Sequence, residues 1–121
     1  MNERKLRGDW GEALTAAYLR RKKYTIVASK FRCRMGEIDL IAKKDGILCF
    51  VEVKTRSETR HGLPREFVGP QKKERIRQAA ATYISRYDLD CPVRFDVAEV
   101  YGDPTLPPEQ AKIVYLEAAF E

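Results

Sequence analysis

The dipeptide Asp45-Gly46 stands between two β-rich runs, residues 37–43 and 47–55. Asp-Gly suits a two-residue turn whose central residues both need positive φ, so the runs are expected to form a hairpin. Such a turn also sets the register. It pairs Lys44 with Ile47, and counting outward in step places Ile41 opposite Phe50, Asp39 opposite Glu52, and Glu37 opposite Lys54. Cross-strand partners share a face, as do alternate residues of one strand. Asp39, Glu52, Lys54 and Glu37 are therefore expected on one face, with Ile38, Leu40, Val51 and Val53 on the other. A one-residue slip would put Asp39 and Glu52 on opposite faces.

Two carboxylates directly opposite each other are destabilising by roughly 0.2–1 kcal/mol on a wet surface. On a covered strand the conflict grows, or one carboxyl keeps its proton. The second run, ILCFVEV, is almost continuously apolar, as expected of a central strand covered on both sides. A divalent cation would remove the conflict. Mg²⁺ takes oxygen ligands, often only one or two carboxylates with waters and a phosphate oxygen. Held there, it can activate water and polarise a phosphate. A lysine two residues along the strand can position the attacking water or offset developing charge. The alternative is a set of solvated charges on a sheet edge, with Lys54 neutralising Glu37.

The rest of the chain supplies elements to cover such a strand. Residues 4–23 read as a helix with a main apolar stripe of Leu6, Trp10, Ala13, Leu14 and Ala17. A second stripe, Gly8, Ala16 and Leu19, lies on its far side, so the helix is expected to be sandwiched. Gly8 and Gly11 weaken a solitary helix but permit close approach to another element. Residues 24–31 form a first strand, and 56–69 a polar, mobile loop. A second helix begins near Pro70, which suits a first helical turn, and carries Ile76, Ala80, Tyr83, Ile84 and Tyr87. Strands follow over 93–101 and from 112 to about 117. The order is α-β-β-β-α-β-β. The expected fold class is α/β: a mixed five-stranded sheet with a helix on each face, in one domain spanning residues 1–121.

Two blocks, Met35-Gly36-Glu37-Ile38-Asp39-Leu40-Ile41-Ala42 and Phe50-Val51-Glu52-Val53-Lys54-Thr55-Arg56, resemble the bipartite signature of the PD-(D/E)xK nuclease superfamily. The closer resemblance is to the bacterial YraN family of uncharacterised, nuclease-like proteins, and it covers nearly the whole chain. It includes Gly8-x-x-Gly11-Glu12 followed by Ala13 and Ala16-Ala17, Phe31-x-Cys33, the basic Lys72, Lys73 and Arg75, and the final Ala119-Phe120. The combined pattern is specific, whereas E-x-K alone is not. Ile38 stands where the superfamily has a proline.

The resemblance implies a restriction-endonuclease-like three-layer αβα sandwich. It implies Asp39 and Glu52 as metal ligands, the Val53 carbonyl as a third, and Lys54 as the catalytic lysine. Archaeal Holliday-junction resolvases in the same superfamily place a glutamate of the first helix at the site, and Glu12 matches it. Glu12 also falls between Gly8 and Ala16 on the helix's second stripe, although an exposed helix glutamate is the plainer alternative. Glu37 would stand behind the site as a supporting carboxylate or as the resting partner of Lys54. Gln71, Lys72 and Arg75 match positions near the scissile phosphate, and a solvated basic helix face explains them equally well.

Charge and composition set the outer limits. The 121 residues are 44% hydrophobic and 34% charged, with net charge +5, which suits an anionic partner such as DNA. Arg32, Arg34, Arg56, Arg60 and Arg65 are candidate phosphate contacts, which would give affinity without sequence specificity. His61 is the only histidine, which argues against a histidine-based triad or metal site. Ser29, Ser57 and Ser85 have no catalytic context, and no phosphate-cradling glycine loop appears, so no nucleotide cofactor is expected. Cys33, Cys49 and Cys91 have no metal-motif spacing and read as free thiols. With no apolar run near membrane-spanning length and no signal peptide, a cytoplasmic protein without a membrane partner is expected.

The expected function is a Mg²⁺- or Mn²⁺-dependent endodeoxyribonuclease acting on DNA backbone or branched DNA. A homodimer would supply the two sites that paired cuts require. The alternatives are a nuclease-fold module that binds DNA or a DNA-processing partner with little or no catalysis, and a scaffold with no nucleic-acid role.

Overall fold

The computed structural model describes residues 3–56 and 68–121. Its elements are α1 (Glu3–Arg21), β1 (Thr25–Cys33), β2 (Gly36–Lys44), β3 (Ile47–Arg56), α2 (Pro70–Arg86), β4 (Val93–Tyr101) and β5 (Lys112–Phe120), with a short 3-10 turn at Pro108–Gln110. The strands lie side by side in chain order, antiparallel except for the parallel pair β3–β4. A parallel pair needs a crossover, and α2 provides it. The result is the expected mixed five-stranded sheet between two helices. Most of the loop expected over 56–69, including Arg60, His61 and Arg65, lies outside the described residues.

The turn chemistry is as the sequence dictates. Asp45 and Gly46 both have positive φ, 52° and 78°, as a hairpin turn of this length requires. The strands pair in step from it: Lys44 with Ile47, Lys43 with Leu48, Ala42 with Cys49, Ile41 with Phe50 and Leu40 with Val51.

β3 is buried on both faces. Leu48 and Phe50 join Ile76, Ala79, Ala80 and Tyr83 in the core under α2. Cys49 and Val51 join Ala16, Leu19, Leu40, Ala42 and Ala98 in the core under α1. β5 runs further than expected, to Phe120, because Phe120 stacks on Phe95 at 5.2 Å and closes the α2 core.

α1 departs from its expected reading. Its buried residues are Gly11, Thr15, Ala16 and Leu19, whereas Leu6 and Ala13 of the supposed main stripe are exposed. The reason is Gly11: a Cβ there would come within 2.3 Å of Thr55 Cγ2 and 3.4 Å of Val53 Cγ1. α1 thus lies directly on β3 through a residue without a side chain. Gly8 faces open space and permits no such approach. Among the described residues the other side of α1 meets the β4–β5 connection: the Trp10 ring lies at Gly102, Arg7 donates to the Gly102 carbonyl at 3.4 Å, and Leu14 and Tyr18 share a cavity with Pro108, Glu109 and Ala111.

Ile38 is a second departure. It packs under α2 with Ile41, whereas Leu40 packs under α1. Strict alternation would put Ile38 with Leu40. β1 changes face at the same level. Ser29 pairs with Leu40 and Phe31 with Ile38, while the intervening Lys30 and Asp39 are left out of the ladder. Lys30 has φ 51°, a left-handed conformation that is strained by about 1–2 kcal/mol for a residue with a Cβ. This paired break turns Asp39 out of either core.

Among the described residues no helix is long and apolar enough to cross a membrane. Cys33, Cys49 and Cys91 are free thiols.

Candidate functional site

The face exchange at Lys30 and Asp39 creates the site. The half-buried Asp39 carboxylate accepts a hydrogen bond from the Val53 N–H at 2.8 Å. A side chain thus takes a donor that a backbone carbonyl of β2 would otherwise receive, and β2–β3 main-chain pairing goes no further than Leu40 and Val51. Within an antiparallel ladder the N–H and C=O of one residue leave on the same edge. The Val53 carbonyl is therefore directed into the fork beside Asp39.

Glu52 meets Asp39 at this fork. The Asp39 carboxyl is pushed up to about 9, first by burial, then by a hydrogen bond shared with Glu52 and by the charge of Glu52. Glu12 raises it further, and the Val53 N–H acts in the opposite direction. Like-charged neighbours brought this close favour the protonated form of one of them when no cation is present, and here the raised group is Asp39. Glu52 is 8% exposed. Its Oε2 is buried and accepts no hydrogen bond among the described residues, although Lys72 Nζ approaches to 3.3 Å. A buried carboxylate oxygen with unused lone pairs, beside a second carboxyl and a backbone carbonyl, fits a hard divalent cation.

Glu12 is arranged differently. Its carboxylate accepts a hydrogen bond from Lys30 Nζ at 2.9 Å, and Lys30 also donates to Asp9 at 2.6 Å. Among the described residues no three acidic, histidine or cysteine side chains converge as a metal-holding group. The expected three-carboxylate set of Asp39, Glu52 and Glu12 is therefore not assembled here. Glu12 lies near enough to act on Asp39 through its charge, but Lys30 holds it.

Lys54 lies two residues beyond Glu52, beside Glu99 in the β3–β4 register. Among the described residues it forms no ion pair. The expected contact with Glu37 is replaced: Glu37 accepts from Arg32 Nε at 3.2 Å. The cause is the end of β2–β3 pairing at Leu40 and Val51, beyond which Glu37 remains paired with Arg32 on β1. Glu37 is thus a partner of β1 and not a support for Lys54.

The described candidates for phosphate contact fall into three places. Arg32 and Arg34 are exposed at the β1–β2 turn, and Arg75 lies against Gly36 of that turn. Lys72, on the first turn of α2, reaches Glu52, and Gln71 beside it is exposed. Arg56 is the last residue of β3.

One polar cluster escaped the sequence reading. Asp96 is fully buried and accepts from Arg94 Nε at 2.9 Å, Arg94 Nη2 at 3.0 Å, the Tyr115 hydroxyl at 2.6 Å and the Ala118 N–H at 2.9 Å. Arg94 Nη2 also donates to the Tyr24 hydroxyl at 2.8 Å. An acid inside the apolar run of β4 was the available signal. Its carboxylate is fully engaged, so the cluster fastens β5 and the α1–β1 connection to β4.

With this geometry in view, relatives place the chain. The model of the uncharacterised protein family UPF0102 matches residues 11–100. The chain belongs to that family. A UPF0102 protein of Alkaliphilus metalliredigens is 41% identical over 114 residues, covering 93% of this chain and 96% of the relative. One from Geobacter sulfurreducens is 42% identical over 118 residues, covering 97% and 90%. One from Flavobacterium psychrophilum is 39% identical over 113 residues, covering 93% and 92%. The matched stretch of this UPF0102 chain contains Glu12, Asp39, Glu52 and Lys54. Nuclease-like superfamily membership is consistent with the family.

Proposed function

We propose that this protein is a divalent-metal-dependent endodeoxyribonuclease that uses Mg²⁺ or Mn²⁺ to hydrolyse DNA phosphodiester bonds, with branched DNA as a candidate substrate. The observation that carries the reading is the Asp39–Glu52 pair: two carboxyls brought together at a fork in the sheet, one with a buried oxygen that accepts no hydrogen bond among the described residues. Asp39, Glu52 and the Val53 carbonyl would hold the cation. When bound, it would supply Lewis-acid polarisation of the phosphate and charge stabilisation.

The chain's own groups do the rest. Lys54 sits on the strand that carries Glu52, where its ammonium can hold the attacking water and offset charge developing on the phosphate. Arg32, Arg34 and Arg75 around the β1–β2 turn, with Arg56, Gln71 and Lys72, offer contacts to DNA phosphates. Such contacts position the duplex without reading its sequence.

A second reading has its own support. Lys72 already stands 3.3 Å from Glu52, and no third acidic ligand converges among the described residues. These features suit a nuclease-fold module that binds DNA or a DNA-processing partner with little or no turnover. The deciding experiment incubates wild type and Asp39→Asn with linear, nicked and four-way-junction DNA in Mg²⁺ and in Mn²⁺. The nuclease reading expects cleavage by wild type only, with DNA retention similar in both proteins. Retention without cleavage by wild type on every substrate would favour the module.

A further inference from the structure

Lys30 is an unusual residue in its setting. It occupies the middle of a strand with left-handed backbone, at φ 51°. That conformation falls where both β1 and β2 exchange faces, and Lys30 and Asp39 are both left out of the ladder there. The Lys30 ammonium lies between Asp9 Oδ1 at 2.6 Å and Glu12 Oε1 at 2.9 Å. Asp9 in turn holds Lys5 at 3.1 Å, one helical turn away. The Glu12 side chain is only 14% exposed, so this carboxylate has little water to fall back on. Its hydrogen-bonding demand is met by Lys30 in its place.

We infer that Lys30 is a specificity-determining positioning residue that holds Glu12 out of the ligand set of the Asp39–Glu52 site. This rests on the metal-site reading above and deepens it. Ligand count separates the biological divalent cations. Mg²⁺ is content with one or two carboxylates and waters, whereas Ca²⁺ takes six to eight oxygens in a looser cage. Two carboxylates and one carbonyl suit the smaller ion. A third carboxylate joining from α1 would add charge and oxygens, and would favour Ca²⁺. Lys30 neutralises Glu12 where it stands and leaves the site with two acidic ligands. Asp9 keeps the ammonium in place from the other side.

The test is calorimetric titration of the folded protein with Mn²⁺ and, separately, Ca²⁺. It uses wild type, Lys30→Met, Lys30→Asn, Glu12→Gln, Lys30→Arg and the double variant Lys30→Met/Glu12→Gln. Asn tolerates the left-handed backbone and is too short to replace the ammonium, so it keeps the test alive if Lys30→Met fails to fold. Wild type and Lys30→Arg are expected to favour Mn²⁺ over Ca²⁺. Lys30→Met and Lys30→Asn are expected to tighten Ca²⁺ binding about tenfold while changing Mn²⁺ binding only about two- to threefold, since ligand charge and number tune Ca²⁺ affinity. The gain should vanish when Glu12→Gln is added, the mark of two residues acting as a unit. An equal gain in the double variant would show simple loss of repulsion between Lys30 and the cation and would overturn the inference. Unchanged or weakened Ca²⁺ binding would do the same. If wild type binds neither ion, the metal-site reading itself fails; if it binds Mn²⁺ and the Lys30 variants match it, only the role of Lys30 falls.

Discussion

The Asp39 carboxylate accepts the Val53 N–H at 2.8 Å, and main-chain pairing of β2 with β3 goes no further than Leu40 and Val51. A side chain standing in for a strand opens the sheet where Glu52 and the Val53 carbonyl become reachable. The same hydrogen bond that forks the strands also moderates the raised pKa of Asp39, which burial and Glu52 push up.

Asp39→Asn should make the cation-free protein more stable at neutral and alkaline pH. The folded protein keeps the Asp39 proton from the ordinary value of 3.8 up to about 9, while the unfolded chain loses it. The folded state therefore binds more protons across that interval, and stability falls as pH rises through it. Denaturant melts from pH 5 to pH 9 should show a declining wild-type stability and a shallower decline in Asp39→Asn. Parallel slopes would remove the Asp39 proton from the account.

Cation binding should expel that proton, because a ligand carboxyl must be ionised. Calorimetry of Mn²⁺ binding at pH 7, repeated in buffers of different ionisation enthalpy, should report release of about one proton by wild type and almost none by Asp39→Asn. Proton uptake, or none released by wild type, would contradict the arrangement.

Lys54→Met should separate binding from chemistry. Cleavage should fall by about a hundredfold or more, the usual effect of removing a group that stabilises transition-state charge. Mn²⁺ affinity should change little, because Lys54 is not a ligand. Equal loss of cation binding would make Lys54 a structural support of Glu52.

The two α1 glycines should respond in opposite directions. Gly8→Ala faces open space and should stabilise by about 0.5–1 kcal/mol through helix propensity. Gly11→Ala must displace Thr55, whose Cγ2 would lie 2.3 Å from the new Cβ, and should destabilise by about 1–3 kcal/mol. Thermal melts of both variants check this, and equal shifts would place α1 wrongly on the sheet.

Asp96→Ala removes a fully buried carboxylate that engages Arg94, Tyr115 and the Ala118 N–H. A loss of about 3–5 kcal/mol is expected, as when one partner of a buried ion pair is deleted. Tyr115→Phe removes one donor and should lose about 1.5–3 kcal/mol, as for a hydrogen bond to a charged group. Urea unfolding measures both.

The fold was legible where local rules decide it. The Asp45-Gly46 turn determined the β2–β3 register to the residue, and the continuous apolar run of β3 announced a strand covered on both sides. Reading stopped at the places where tertiary contact overrides pattern. Leu6 looks like a core residue and is exposed, because α1 is oriented by the absence of a side chain at Gly11. Ile38 sits on the unexpected face because two strands break alternation together, which no single strand's periodicity records. The Asp39–Glu52 apposition followed from counting along the hairpin. The hold of Lys30 on Glu12 did not, since a lysine in a strand ordinarily points to water.

A final consequence of the two-residue turn concerns time. Asp39 and Glu52 are brought together by a hairpin, which closes in about 1–10 μs, whereas the parallel β3–β4 pair must wait for α2 to cross over. On that order the two carboxylates would meet before β4 pairs along the other edge of β3. Their mutual charge resists the earliest pairing of the sheet, and a proton or a divalent cation would ease it. The chemistry of the site would thus take part in building the sheet that holds it.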